Sequence, residues 1–179
     1  MRKALLVTIC LVLLTACNKP AEKPAEAATE DKPVPQSELA DGRYSDMGKK
    51  ALEQLASGDV DGWVSNYAEN VIYYWSSGDS LAGKTAVRDY WKERRTKVID
   101  SISFVNDIWI PLKVNKPQKG PDAPGIWLLS WYQVKVKYKN GKKLQMWVHT
   151  DMHYDSLDKI DIVVQYIDRA PINAALAAK

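Results

Sequence analysis

The sequence predicts an α+β domain in which three N-terminal helices are followed by an antiparallel sheet. Three observations point there. Apolar residues recur at helical spacing in three separate stretches before Arg95. From Ile102 onward the chain runs in β-branched and aromatic segments with alternating polarity. Two of these segments meet at Asn140-Gly141, a dipeptide that readily takes the positive backbone angles of a tight hairpin.

In chain order, the first helix gathers Met47, Ala51, Leu52 and Leu55 on one face and stops at Gly58, a residue that tolerates the left-handed C-terminal cap. Asp59 then caps a second helix, in which Val60, Trp63, Val64 and Tyr67 fall at i, i+3, i+4 and i+7. Val71 to Ser76 reads as a strand closed by the turn Ser77-Gly78-Asp79-Ser80. Thr85 caps a third helix that places Val87, Tyr90, Trp91 and Arg94 on one side. Strands are expected over 102–114, 126–138, 143–155 and 160–168, with a Pro, Gly and Lys loop at 115–125. Helices followed by a meander with one covered face make an α+β architecture.

Ahead of this domain, Arg2 and Lys3 precede an apolar run from Ala4 that ends in Leu14-Thr15-Ala16-Cys17. The segment resembles the bacterial lipobox, so residues 1–16 are expected to be a lipoprotein signal peptide removed before Cys17. Lipidation of Cys17 would then moor the mature chain outside the cytoplasmic membrane, away from ATP, GTP and glutathione. An ordinary secretory signal with an incidental cysteine is the plainer alternative. A membrane span is not expected, since about 20 apolar residues are needed to cross a bilayer. By the same resemblance, Asn18 after the cysteine implies sorting to the outer membrane of a two-membrane bacterium. Residues 17–40 are mostly Ala, Pro, Glu and Lys with little to bury, and are expected to form a disordered tether. About 24 such residues reach on the order of 25 to 30 Å. A domain over 41–170 and a tail over 171–179 complete the expected organisation.

Composition narrows the partners. The chain has 25 basic and 22 acidic residues, and losing Arg2 and Lys3 with the signal leaves 23 against 22. Nucleic acid is therefore not an expected partner. Cys10 would leave with the signal as well, so the folded part has no thiol for an internal disulfide. Seven Trp and nine Tyr against one Phe supply large apolar area with polar handles, which suits pocket walls and interfaces as well as cores.

Several local patterns carry a resemblance: Leu55-Ala-Ser-Gly-Asp59, Trp63-x-x-x-Tyr67-Ala-Glu-Asn-Val71, Gly83-x-x-Ala86-Val-Arg-x-Tyr-Trp91 and Lys159-Ile-Asp-Ile. Together they resemble the nuclear transport factor 2-like superfamily, and within it the SnoaL-like and ketosteroid isomerase-like domains, over about Tyr44 to Asp168. The resemblance implies a strongly curved antiparallel sheet closing on three helices as a cone with a buried pocket, commonly dimerised through the outer sheet face.

Gly78-Asp-Ser-Leu-Ala-Gly83-Lys84-Thr85 also spells the P-loop pattern between a strand and a helix. A working P-loop needs a parallel sheet with crossover helices and an acidic Mg²⁺ partner on a neighbouring strand. No helix is expected after Arg95 to make that crossover, and the superfamily's own Gly-x-x-Ala pattern accounts for Gly83 and Ala86. Nucleotide binding at 78–85 is a remote alternative.

Parity along 143–155 sorts the strand into Leu144, Met146, Val148, Thr150, Met152 and Tyr154 on an inward face and Gln145, Trp147, His149, Asp151 and His153 on an outward one. As a metal site His149-x-Asp151-x-His153 is poor, because the two His stand about 13 Å apart with parallel side chains. Neither metal nor cofactor is implied. The same parity places Trp109, Trp131 and Trp147, with His149, in an outer patch suited to a homodimer interface. Alternatively, bulges in a curved sheet rotate one or more of these Trp inward. Candidate pocket residues are Trp63, Tyr67, Tyr90 and Trp91 from the helices and Tyr74, Tyr132, Val148, Thr150 and Gln165 from the strands; the bland reading of each is core packing.

Isomerases of the resembled branch hold a carboxylate base opposite a tyrosine and a protonated acid. The resemblance sets Tyr74, Ala51 and Thr150 at those positions, and none can play the part. Related cyclases and dehydratases use His and Asp in the cavity, whereas both His here are expected to face away, and Asp79 and Asp89 have no visible partner. The expected function is binding of a small, mostly apolar molecule by a lipid-anchored domain, with catalysis not evident. The alternatives are an isomerase, cyclase or hydratase acting on a hydrophobic substrate, and an envelope interaction module working through the Trp face.

Overall fold

The structure is a computed structural model that describes residues 33–120 and 122–177. The signal peptide, Cys17 and most of the tether lie outside those residues.

Seven strands form one curved, unclosed sheet, and four helices accompany it among the described residues. The strands are β1 (Ser37–Leu39), β2 (Tyr67–Trp75), β3 (Ser80–Ala82), β4 (Ile99–Val114), β5 (Gly125–Tyr138), β6 (Lys143–Tyr154) and β7 (Ile160–Tyr166), in the spatial order β1-β4-β5-β6-β7-β2-β3. The helices are α1 (Arg43–Ser57), α2 (Val60–Val64), α3 (Lys84–Glu93) and α4 (Ala170–Ala177).

The expected caps hold at the first two helices. Gly58 ends α1 at φ 89°, and its N–H returns to the Leu55 carbonyl. Asp59 Oδ1 accepts from Gly62 N at 2.8 Å and starts α2. That helix lasts only to Val64, and Tyr67 opens β2 rather than extending the helical face. At α3 the cap is Gly83 at φ 89° with no side-chain bond, so Thr85 lies inside the helix and caps nothing. The helix then loosens into a π-helical turn, Arg94–Val98, closed by Ile99 N–H on the Arg94 carbonyl.

Asn140-Gly141 makes the β5–β6 hairpin, and Gly141 has φ 86°. β4 to β7 form the expected antiparallel meander. One pairing departs from it: β2 lies parallel to β7, joining the first long strand of the fold to the last. Two ends of the folded chain also extend past expectation. Ser37–Leu39 pairs with Leu112–Val114, so the ordered chain begins before residue 41. Beyond Asp168 the tail forms α4, whose Ala175 is buried with Ile99, Val136 and Tyr138.

The main core lies between helices and sheet, where Ala51, Leu55, Trp63 and Val87 pack on Val71, Tyr73, Leu128 and Val163. Burying these side chains contributes on the order of 2 kcal/mol each.

Candidate functional site

Inside the curve of the sheet is a cavity of about 90 Å³. α1 contributes Gly48, Ala51, Leu52 and Leu55; Trp63 comes from α2 and Trp91 from α3. The sheet supplies Tyr67, Tyr73, Tyr132, Val148, Thr150 and Gln165. Of the nine residues expected at a pocket, seven line this one: Trp63, Tyr67, Trp91, Tyr132, Val148, Thr150 and Gln165. The β6 parity explains Val148 and Thr150, since alternate residues of that strand face the helices.

Two expected pocket residues lie elsewhere. Tyr74 is on the outer face, 36% exposed, and Tyr73 takes the inner position. The segment Val71 to Trp75 has bulky residues on both faces, so its parity was ambiguous. Pairing with β7 at Val163 turns Tyr73 inward. Tyr90 packs on Trp75 and Trp91 at ring distances of 5.2 and 5.7 Å and lines a neighbouring hollow of about 80 Å³ beneath α4.

The cavity wall is aromatic with a few polar handles. Tyr132 Oη and Thr150 Oγ1 share a hydrogen bond of 2.9 Å, and Gln165 Nε2 donates to the same Thr150 oxygen at 3.4 Å. Gln165 Oε1 in turn accepts from Trp75 Nε1 at 3.2 Å. The hydroxyls of Tyr67 and Tyr73 have no hydrogen-bond partner among the described residues. Burial pushes both phenols well above the ordinary tyrosine range, with neighbouring tyrosines adding to the shift. They are therefore neutral donors throughout the physiological range. Trp91 Nε1 is a further buried donor without a partner. Among the described residues no Asp, Glu or His lines the cavity, and the one charged residue that does is Arg94. Asp79 is held by Arg169, and Asp89 pairs with Arg88 at 3.0 Å, so neither acid serves the cavity.

The outer face differs from expectation at one residue. A bulge between Val105 and Ile108, with Asn106 at φ 54°, inserts two β4 residues opposite Tyr132. It reverses the parity beyond it. Trp109 accordingly turns inward, stacks on Tyr132 at 6.4 Å and packs against the core, while Ile108 takes the outer place, 52% exposed. Trp131, Trp147 and His149 remain on the outer face. The His149 ring lies between Trp131 at 4.3 Å and Tyr166 at 5.4 Å. Its Nδ1 donates to the Ser130 carbonyl at 2.9 Å. Its Nε2 stands 2.9 Å from Asp151 Oδ1, but off the hydrogen-bonding direction, so that oxygen lacks a bonded partner. Burial raises the Asp151 carboxyl above its ordinary range, and the nearby His149 only partly opposes this. His153 is buried against Trp127 and held by Asp161 at 2.5 Å and by the Pro124 carbonyl at 3.1 Å. Each His is thus tied to its own partners, and no three His, Cys, Asp or Glu converge among the described residues.

At 78–85 the chain forms a hairpin rather than a phosphate cradle. Ser80–Ala82 is strand β3, with Trp75 N–H bonded to the Asp79 carbonyl and Gly83 N–H to the Val71 carbonyl. Lys84 Nζ pairs with Glu69 at 2.9 Å. With Gly83 N–H bonded into the sheet and Ser80–Ala82 paired as a strand, the segment cannot wrap a phosphate as a P-loop does, which removes the nucleotide reading.

No protein-family model and no curated protein sequence matches the chain. Solved structures do. An NTF2-like protein of unknown function from Burkholderia pseudomallei is 13% identical, covering 75% of this chain and 97% of its own, with a TM-score of 0.59. The fold is nuclear transport factor 2-like. A candidate polyketide cyclase from Xanthomonas campestris pv. campestris is 14% identical over 75% of this chain and 97% of its own, at 0.60. An epoxide hydrolase from M. tuberculosis shares the nuclear transport factor 2-like fold at 0.52, with 15% identity over 72% of this chain and 85% of its own.

Proposed function

We propose that this chain binds a small, mostly apolar molecule within the cone of its nuclear transport factor 2-like domain, and that Cys17 anchors it by lipid in the bacterial envelope, at the outer membrane facing the periplasm. One observation carries the binding reading: an aromatic-walled cavity whose polar groups include the unbonded hydroxyls of Tyr67 and Tyr73. Hydroxyls on the wall of an apolar hollow that no protein group engages are available to a ligand oxygen. Convergent polar groups in an otherwise apolar hollow are the common pattern of a small-molecule site. The resting space of about 90 Å³ is smaller than the cavity of about 150 Å³ that accepts benzene, so a ligand of that size or larger needs the flexible side chains of Met146 and Met152 to turn aside. No cofactor enters this reading.

Catalysis has weaker support. The names of the cyclase and epoxide hydrolase neighbours favour an isomerase, cyclase or hydratase, but proton transfer needs a base within reach of the substrate, and no carboxylate or imidazole among the described residues lines the cavity. The outer face supports a homodimer: Trp131, Trp147, Ile108 and Tyr166 form an apolar surface of the kind that marks association.

Native mass spectrometry of the full chain, purified from bacterial membranes in detergent, tests these points together. The expected result is a dimer with one retained small molecule per subunit and the mass of a diacylglyceryl group that disappears in Cys17→Ser. A ligand-free chain that also takes up no apolar compound would remove the binding reading.

A further inference from the structure

Between Arg88 and Lys97 the chain carries five cations, and four have an acceptor. Arg88 pairs with Asp89, Lys92 with Asp61 and Lys97 with Glu93, while Arg95 donates through Nη2 to the Ala56 carbonyl and keeps Nε and Nη1 buried without a partner, away from the cavity lining. Arg94 has none among the described residues: its guanidinium carbon lies 5.5 Å from the Tyr90 ring centroid, and no carboxylate or carbonyl meets it. It is half-buried where the 90 Å³ cavity adjoins the 80 Å³ hollow under α4, and it lines both. One helical turn earlier stands Trp91, which lines the same two spaces and whose buried Nε1 has no acceptor. Residues at i and i+3 share a helix face, so the two unsatisfied donors are neighbours.

This arrangement is unfavourable in an empty protein. The buried Trp91 indole N–H lacks the oxygen that would compensate it, and beside it the Arg94 guanidinium has donors that no protein oxygen occupies. A guanidinium presents a planar fork that matches two oxygens on one centre, and the indole N–H adds a third bond. The π-helical turn that begins at Arg94 is of a kind often found at functional sites.

We propose that Arg94 and Trp91 bind the carboxylate of a monocarboxylic acid whose short apolar body fills the cone. This rests on the binding reading above and deepens it by naming the ligand class. The body lies among Leu52, Trp63, Val148 and Met152, and the head sits at the throat beneath Ile172 of α4.

Isothermal titration of the full chain with straight-chain acids from butanoate to octanoate, each beside its own primary amide, tests the assignment. The tightest acid is expected to bind at least about tenfold better than its amide, the scale of a charge-assisted hydrogen bond. Arg94→Gln is expected to erase the advantage of the acid, which loses at least about tenfold while the amide, a neutral acceptor, loses several-fold less. Trp91→Phe keeps the ring, loses the N–H and weakens the acid about three- to tenfold. Arg94→Lys retains part of the preference, which separates loss of the head group site from misfolding. Equal binding of acid and amide overturns the carboxylate while leaving the cavity reading intact. An acid preference that survives in Arg94→Gln overturns the role of Arg94. Binding of neither series overturns both readings.

Discussion

At Gly48 the first helix presents no side chain, and the Trp109 ring occupies the space where a Cβ would stand; the same Cβ would lie 2.7 Å from Leu128 Cδ2. Gly48→Ala therefore forces the ring or the helix to move, and the expected cost is about 1 to 3 kcal/mol of unfolding free energy in urea. Trp109→Leu in the same chain should recover much of it, since the smaller side chain yields the space. A second residue-level prediction concerns pH. The Asp151 carboxyl is raised by burial, so its contribution is favourable while protonated and is lost as pH rises through its folded value. Asp151→Asn should therefore melt higher than wild type at pH 7, with the gap closing as pH falls below the ordinary carboxylate range. A constant gap across that range would contradict the assignment. At this scale the sequence was legible where alternation was uninterrupted. Val148 and Thr150 face the cavity because β6 has no bulge between them, whereas Trp109 could not be placed, since Asn106 and Asp107 stand opposite the single residue Tyr132 and this one extra residue reverses the count. Asn106 was the one local signal, as Asn tolerates the left-handed angle better than most residues.

The helix caps give a paired test at the level of elements. Asp59 bonds Gly62 N–H and Thr85 bonds no helix N–H. Asp59→Ala is expected to cost about 1 kcal/mol of unfolding free energy, and Thr85→Ala to stay within about 0.5 kcal/mol of wild type. Amphipathic spacing or a stop residue makes α1, α2 and α3 legible in the sequence, whereas Ala170–Ala177 of α4 is apolar nearly all round and shows no periodic face. What defines that helix is tertiary: Ile172 and Ala175 cover Ile99, Val136 and Tyr138, and Asn140 Nδ2 caps the Ala175 carbonyl at 2.8 Å. Truncation after Arg169 should leave a folded domain with a lower melting temperature, increased binding of an apolar dye and at least about fivefold weaker uptake of cavity ligands. The fivefold figure corresponds to about 1 kcal/mol of lost apolar burial over the throat.

At the largest scale the described residues form one long sheet bent around a space that its own side chains do not fill. The α+β class was readable from local signals, since helical spacing and an Asn-Gly hairpin are properties of adjacent residues. The parallel pairing of β2 with β7 and the edge strand at Ser37–Leu39 join segments far apart in sequence, and nothing local announces either. The β2–β7 pairing sets which face of Tyr73 and Tyr74 looks inward, so the error at Tyr74 began at this larger scale. Xenon-pressurised crystals of the full chain probe the hollow without assuming any ligand, because xenon occupies apolar cavities and avoids packed cores. The account predicts a xenon site inside the cone, bounded by Trp63, Tyr132, Val148 and Met152. A cone interior closed by those same side chains, with no xenon between them, would contradict it.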